Sequence, residues 1–312
     1  RVIAATERPA ADVFYTRDDP NDLRLGEIVA RHPPRYEDAQ VVILGCPQDE
    51  GVRRNGGRPG AALAPAAIRQ AFYRLSPLGL VGLRVFDLGD TRLGQTLEET
   101  HEAQAAVVRQ VLADGKRLIV LGGGNDISYP DCSALAQAAG PVLAFNIDAH
   151  FDVRADSPRN SGTPYRQLLD EGHIRGDQFF EIGHQLHANS PDYHDYLLEQ
   201  GAHLYSLDLL REIGVTTPVR RALADSRANA IFWGFDLDVV RAADAPGVSA
   251  PSPVGLSADD LTDLALLAGS DPRTRLIEFA EVNPLHDIDG RTARLTAVAM
   301  HRFLAGFAAQ RR

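Results

Sequence analysis

Short apolar runs alternate with segments of helical patterning along most of the chain, and this alternation restricts the fold more than any other feature. The runs lie at Val41-Val-Ile-Leu-Gly45, Leu83–Leu88, Arg117–Leu121, 142–147, Phe179–Ile182, His203–Ser206, Ala230–Phe235 and Leu276–Ala280. Helical spacing of apolar residues is predicted between and after them, near 61–73, 97–112, 127–139, 163–171, 191–200, 207–212, 218–225, 257–268 and 291–309. Eight strands interleaved with helices imply an α/β protein with a mainly parallel sheet covered on both faces. A closed (β/α)₈ barrel has the same local pattern, and periodicity alone does not separate the two. Residues 1–39 are polar and broken by Asp18-Asp-Pro-Asn-Asp22, which predicts an N-terminal arm wrapped on a domain surface. Residues 40–312 show no internal composition shift or low-complexity linker, so a single domain is expected there. The segment Asp49–Gly60 carries too much glycine for a helix and reads as a loop.

The net charge of −10 argues against a nucleic-acid binder, which carries a basic face. No run approaches the roughly 20 consecutive apolar residues of a membrane span, and the N-terminal residues lack the pattern of a secretory signal. A cytoplasmic location is therefore the expectation. The two cysteines, Cys46 and Cys132, are too few for a disulfide framework and lie in or beside apolar segments, where buried thiols are expected.

The chemistry concentrates at strand ends. The stretch Asn146–Arg154 follows the apolar run that begins at Pro141, and alternate spacing is expected to send Asp148, His150 and Asp152 to one side of that strand's end. Asp236 and Asp238 end the run from Ala230 with the same spacing. Four carboxylates and one imidazole suit Mn²⁺ or a similar cation better than a thiol-preferring zinc site. Four ionised aspartates would repel one another, whereas two divalent ions bring the group near neutrality. Two ions about 3.5–4 Å apart can acidify a water held between them. Glu281 is expected to emerge at the mouth of the strand ending near 280, where a carboxylate can hold a cationic amidine or guanidine by paired hydrogen bonds.

The blocks Gly122-Gly-Gly-Asn-Asp126, Asp148-Ala-His-Phe-Asp152, Ser161-Gly-Thr-Pro-Tyr-Arg166, Phe235-Asp-Leu-Asp238 and Glu281-Val-Asn-Pro284 resemble, in order, those of the ureohydrolases, which include arginase, agmatinase and formimidoylglutamase. Gly51–Ala61 with Ala67-Ile-Arg69 most resembles the formimidoylglutamase branch. The resemblance implies a three-layer α/β/α fold with an eight-stranded sheet, two Mn²⁺ ions, and hydrolysis of N-formimidoyl-L-glutamate to glutamate and formamide in histidine degradation. It also implies that Asp148 and Asp236 bridge the ions, that Asp152 completes one site, and that His150 with Asp238 completes the other. Glu281 matches the substrate-orienting glutamate and is counted with Asp152 among the catalytic groups.

An acidic substrate has a physical rationale in the arginine-rich loop, where Arg53, Arg54 and Arg58 with Asn55 can hold two carboxylates. Ser161, Thr163 and Arg166 from the third block, and His187 beyond the strand ending near 182, complete the expected substrate-binding set. A small-molecule amidine and further copies of the chain are the only partners expected. Two departures from the family pattern stand out. Asn125 occupies the position of a metal-ligating His, and a neutral amide oxygen is a weaker donor than imidazole, so the first site is expected to bind its ion loosely, favour a harder ion or stay empty. Agmatinase-like members have a His where this chain has Ser161, which argues against that branch. Alternatives are a non-catalytic or single-metal relative with a structural or regulatory role, or an amidinohydrolase for another guanidino or amidino acid.

Overall fold

The structure is a computed structural model that describes residues 2–310. Nine strands form one sheet: β1 (Thr6–Glu7), β2 (Val41–Gly45), β3 (Val85–Thr91), β4 (Arg117–Leu121), β5 (Val142–Ile147), β6 (Phe179–His184), β7 (His203–Ser206), β8 (Ala230–Asp236) and β9 (Thr274–Ala280). Their spatial order is β1-β3-β2-β4-β9-β8-β5-β6-β7. Every pairing is parallel except β1 with β3. The sheet is open, with β1 and β7 at its edges, which resolves the barrel alternative.

The eight parallel strands are those the apolar runs predict, with β6, β8 and β9 each longer at one end and β3 shifted toward its C-terminal end. The ninth, β1, is two residues of the polar N-terminal segment. Polar composition hid it, because its support comes from elsewhere: the Thr6 hydroxyl donates to Leu88 O at 2.9 Å, and Arg8 donates to Leu88 O and Asp87 O at 2.8 Å each.

Strand residues alternate between two apolar layers, which explains why the runs read as continuously hydrophobic. Val41, Ile43, Ile119, Phe145, Trp233 and Ile277 pack on one face with residues of the helices Ala64–Phe72, Ala258–Ser270 and Arg291–Ala309. Val42, Leu44, Leu118, Val120, Ala144 and Phe232 pack on the other with the helices Leu97–Ala113, Ser128–Ala139 and Pro164–Asp170. Cys46 and Cys132 are buried free thiols of this second layer. Among the described residues no helix is long and apolar enough to cross a membrane.

The glycine-rich segment after β2 departs from expectation. Glu50–Arg54 forms a short α-helix despite Gly51. This glycine serves close approach: a Cβ there would fall 1.9 Å from Asp126 Oδ1. The helix thus packs directly on the loop that follows β4.

Candidate metal centre

Four neighbouring strands, β4, β9, β8 and β5, converge their carboxyl ends on one place, as open parallel sheets do for their ligand sites. Asn125 lies just beyond β4, Glu281 just beyond β9, and Asp148 just beyond β5, while Asp236 ends β8. Strand alternation is not what brings Asp148, His150 and Asp152 together, because β5 stops at Ile147. The chain instead bends, with Asp152 held at φ +49°. Glu281 is also left-handed, at φ +65°. Non-glycine residues in this region cost free energy, and such positions concentrate at functional sites.

The ligand atoms fall into two groups, each with its members' atoms within 4.8 Å of one another: Asp148, His150 and Asp238, and Asp148, Asp152 and Asp236. Asp148 belongs to both. His150 Nδ1 lies 3.4 Å from Asp148 Oδ1 and 3.2 Å from Asp238 Oδ2. Backbone N–H groups fix two of the carboxylates: His150 N donates to Asp148 Oδ1 at 2.7 Å, and Asp238 N to Asp236 Oδ1 at 2.9 Å.

The electrostatics are those of a crowd of acids in a dry place. Burial and then Asp238 push the Asp148 carboxyl up to about 6. Burial also raises Asp152, with Asp148 next in effect, and Asp236, with Asp238 next, well above the usual carboxylate range. Asp238 holds the His150 imidazolium, raising it to about 12. Glu281 is pushed up to about 8, chiefly by burial. Its Oε1 accepts from Asn125 N at 2.7 Å, while its Oε2 and Asp238 Oδ1 are buried without a hydrogen-bond partner. Unpaired buried oxygens beside mutually repelling carboxylates are what divalent cations would satisfy, and an oxygen-rich set with one imidazole fits Mn²⁺. Asn125 is turned differently from a ligand. Its Nδ2 donates to Asp152 Oδ2 at 2.7 Å and to Asp148 Oδ2 at 3.2 Å, and its Oδ1 accepts from Ser128 Oγ at 3.0 Å.

A cavity of about 600 Å³ opens over these residues. Asn55, Arg58, Ser161, Asp152, His150, Asp236, Asp238 and Glu281 all line it. The other residues expected from sequence do not. Arg53 is 62% exposed and pairs with Asp49 and Glu50, and Arg54 turns to Glu98 at 2.7 Å. Thr163 is buried and donates to Asn160 O at 2.9 Å. Arg166 pairs with Asp170 at 2.7 Å and lies over the Tyr196 ring. His187 is exposed and outside the lining. None of these five lines the cavity with Arg58, because helix turns, acid partners or exposure to solvent take them elsewhere, which loop composition does not reveal. Sequence reasoning passed over Arg154, although it ends the aspartate-rich stretch. Arg154 lines the cavity, its backbone N–H held by Gly162 O at 2.8 Å. Among the described residues its exposed guanidinium has no ion-pair partner. Arg58 donates to Val248 O at 2.6 Å and to Ser249 O at 3.3 Å, which fixes its guanidinium at the same cavity.

A doubly covered parallel sheet with these ligand groups at its carboxyl edge defines an α/β protein built to hold divalent cations. The arginase family model matches residues 39–306, and the chain belongs to the arginase family. It is 36% identical to a formimidoylglutamase of Staphylococcus carnosus over 266 residues, covering 84% of this chain and 85% of the relative. It is 35% identical to a formimidoylglutamase of Nocardia farcinica over 308 residues, covering 95% and 97% of the two chains. Among solved structures it is similar to Trypanosoma cruzi formiminoglutamase with Mn²⁺, at 37% identity and a TM-score of 0.87, covering 93% of this chain and 99% of the other.

Proposed function

We propose that this chain is a metal-dependent hydrolase that cleaves N-formimidoyl-L-glutamate to L-glutamate and formamide. The observation that carries the reading is the pairing, across one cavity, of the aspartate–histidine cluster with the otherwise unpaired guanidinium of Arg154. The relatives' names supply the substrate; the cavity supplies its chemistry, with cations for the two carboxylates and a buried carboxyl for the amidine.

Asp148, Asp152, Asp236, His150 and Asp238 hold the ions, with Asn125 beside the first of them. When bound, Mn²⁺ neutralises the carboxylates and acidifies water for attack at the amidine carbon. Arg154 and Arg58 anchor the substrate carboxylates, and Asn55 and Ser161, joined by a 3.1 Å hydrogen bond, shape the same wall. Glu281 Oε2, buried and without a partner, receives the amidine nitrogen end. Asp152 accepts a proton from the attacking water and returns it to the leaving nitrogen as the C–N bond breaks, giving formamide and glutamate. Assembly into a homo-oligomer and a place in histidine degradation belong to the same reading.

A substrate panel tests the proposal: the Mn²⁺-loaded chain is offered N-formimidoyl-L-glutamate, L-arginine and agmatine. Turnover is expected with the first. Preference for either guanidine would overturn the assignment of substrate, and no turnover with any would favour a non-catalytic role.

A further inference from the structure

Behind the cluster lies a polar layer that neither apolar face accounts for. Glu181 on β6, Asn146 on β5, Gly234 on β8 and Glu278 on β9 pair in register across the sheet. Glu181, Asn146 and Glu278 are fully buried, as are Ser128 and Asp131 from the helix above. Tyr165 reaches into the space that Gly234 leaves, where a Cβ would fall 2.3 Å from its hydroxyl. This hydroxyl donates to Ser128 Oγ at 3.3 Å.

Ser128 has one proton and two acceptors for it. Asn125 Oδ1 lies 3.0 Å away, and Glu278 Oε1 is in close hydrogen-bond contact on the other side. The two uses of the proton have opposite consequences one residue further on. When the hydroxyl donates to Asn125 Oδ1, the amide carbonyl is held inward and Nδ2 faces Asp148 and Asp152, as seen here. When it donates to Glu278, its lone pairs face Asn125, and they favour the reversed amide, with Nδ2 inward and Oδ1 toward the aspartates. Only the second arrangement offers an oxygen donor to an ion; the first offers N–H groups to the carboxylates that would hold it.

We propose that Ser128 is a positioning residue whose hydroxyl, shared between Asn125 and Glu278, selects which face of the Asn125 amide meets the aspartates and so sets the affinity of the weaker of the two ion sites. The proposal rests on reading the cluster as a two-ion centre. It requires no contact between Ser128 and either ion or substrate, and it makes opposite demands on the two ends of the relay. Ser128→Ala removes the donor that holds the carbonyl inward, so turning the amide toward an ion no longer breaks that hydrogen bond and the weaker site tightens. Glu278→Met removes the competing acceptor, commits the hydroxyl to Asn125 Oδ1 and weakens that site.

The test is Mn²⁺ titration of metal-free wild type and both variants by isothermal calorimetry, with electron paramagnetic resonance to count exchange-coupled ion pairs. The expected result is a first equivalent bound alike in all three chains and a second bound roughly three- to tenfold tighter in Ser128→Ala and weaker by a similar factor in Glu278→Met, the scale of one net hydrogen bond. Nonspecific loosening of the site would weaken both variants together, and that result, or no change in either, would overturn the proposal while leaving the two-ion reading intact. Failure of every chain to bind even one equivalent would overturn that reading and the proposal with it.

Discussion

The Asn125 side chain donates from Nδ2 to Asp152 Oδ2 at 2.7 Å, placing a neutral amide where the family pattern has a metal-ligating imidazole. The contact joins the loops after β4 and β5 through a hydrogen bond between side chains. A cation there would instead join them through its own charge, so Asn125 makes the cluster less dependent on its first ion for its shape.

Asn125→His restores a stronger donor to a transition metal. The second Mn²⁺ equivalent should then bind at least about tenfold tighter, the scale reached even by changes behind a ligand. Equilibrium dialysis with elemental analysis measures this. Unchanged affinity would mean that the Asn125 amide already serves as a competent ligand.

Arg154 and Arg53 separate two accounts of acid recognition. Loss of a charge-assisted hydrogen bond costs about 1.5–3 kcal/mol, so Arg154→Met should raise KM for N-formimidoyl-L-glutamate by roughly ten- to a hundredfold with kcat little changed. Arg53→Met, at an exposed guanidinium paired with Asp49 and Glu50, should leave KM as it is. Steady-state kinetics that show the reverse would restore the arginine-rich loop as the anchor.

Glu281→Gln keeps the shape of the side chain and replaces its ionisable carboxyl with a neutral amide. If Glu281 orients the amidine, kcat should fall about a hundred- to a thousandfold, as when a preorganised electrostatic contact is lost. Wild-type kcat in the variant would remove Glu281 from the catalytic set.

The polar layer should leave a mark on stability. Asp131 is fully buried, its Oδ1 accepting from Gln104 Nε2 at 2.8 Å, and burial raises its carboxyl to about 7. A carboxyl whose folded pKa lies above its unfolded value near 3.9 binds more protons when folded, so its contribution is full below about 4 and declines as pH rises to about 7. Asp131→Asn removes that decline. The Tm difference, variant minus wild type, should therefore grow between pH 4 and 7 and level off above; a constant difference would show that Asp131 does not titrate in this window.

The strands and the gathering of acids and one imidazole at strand ends were legible because each has a strong local cause. A strand buried on both faces must be apolar throughout, and Asp148, His150, Asp152, Asp236 and Asp238 sit where parallel strands end. The convergence of the first three was reached for the wrong reason, since a left-handed bend at Asp152, not strand alternation, brings them together. The helix Glu50–Arg54 was missed because Gly51 marks a contact with Asp126, not a turn. Arg54 lies away from the cavity because the fold brings Glu98 beside it, and Arg166 because Asp170, one helical turn on, holds it. Arg154 was legible as a residue but not as a free charge, since lack of a partner is a property of three-dimensional neighbours.

The central claim is tested most directly by stripping the protein with chelator, reloading it with Mn²⁺, and following N-formimidoyl-L-glutamate by proton NMR. Formamide and glutamate should appear in equal amounts with Mn²⁺, and at a small fraction of that rate without it. Release of ammonia in place of formamide, or equal turnover in the stripped protein, would contradict the account.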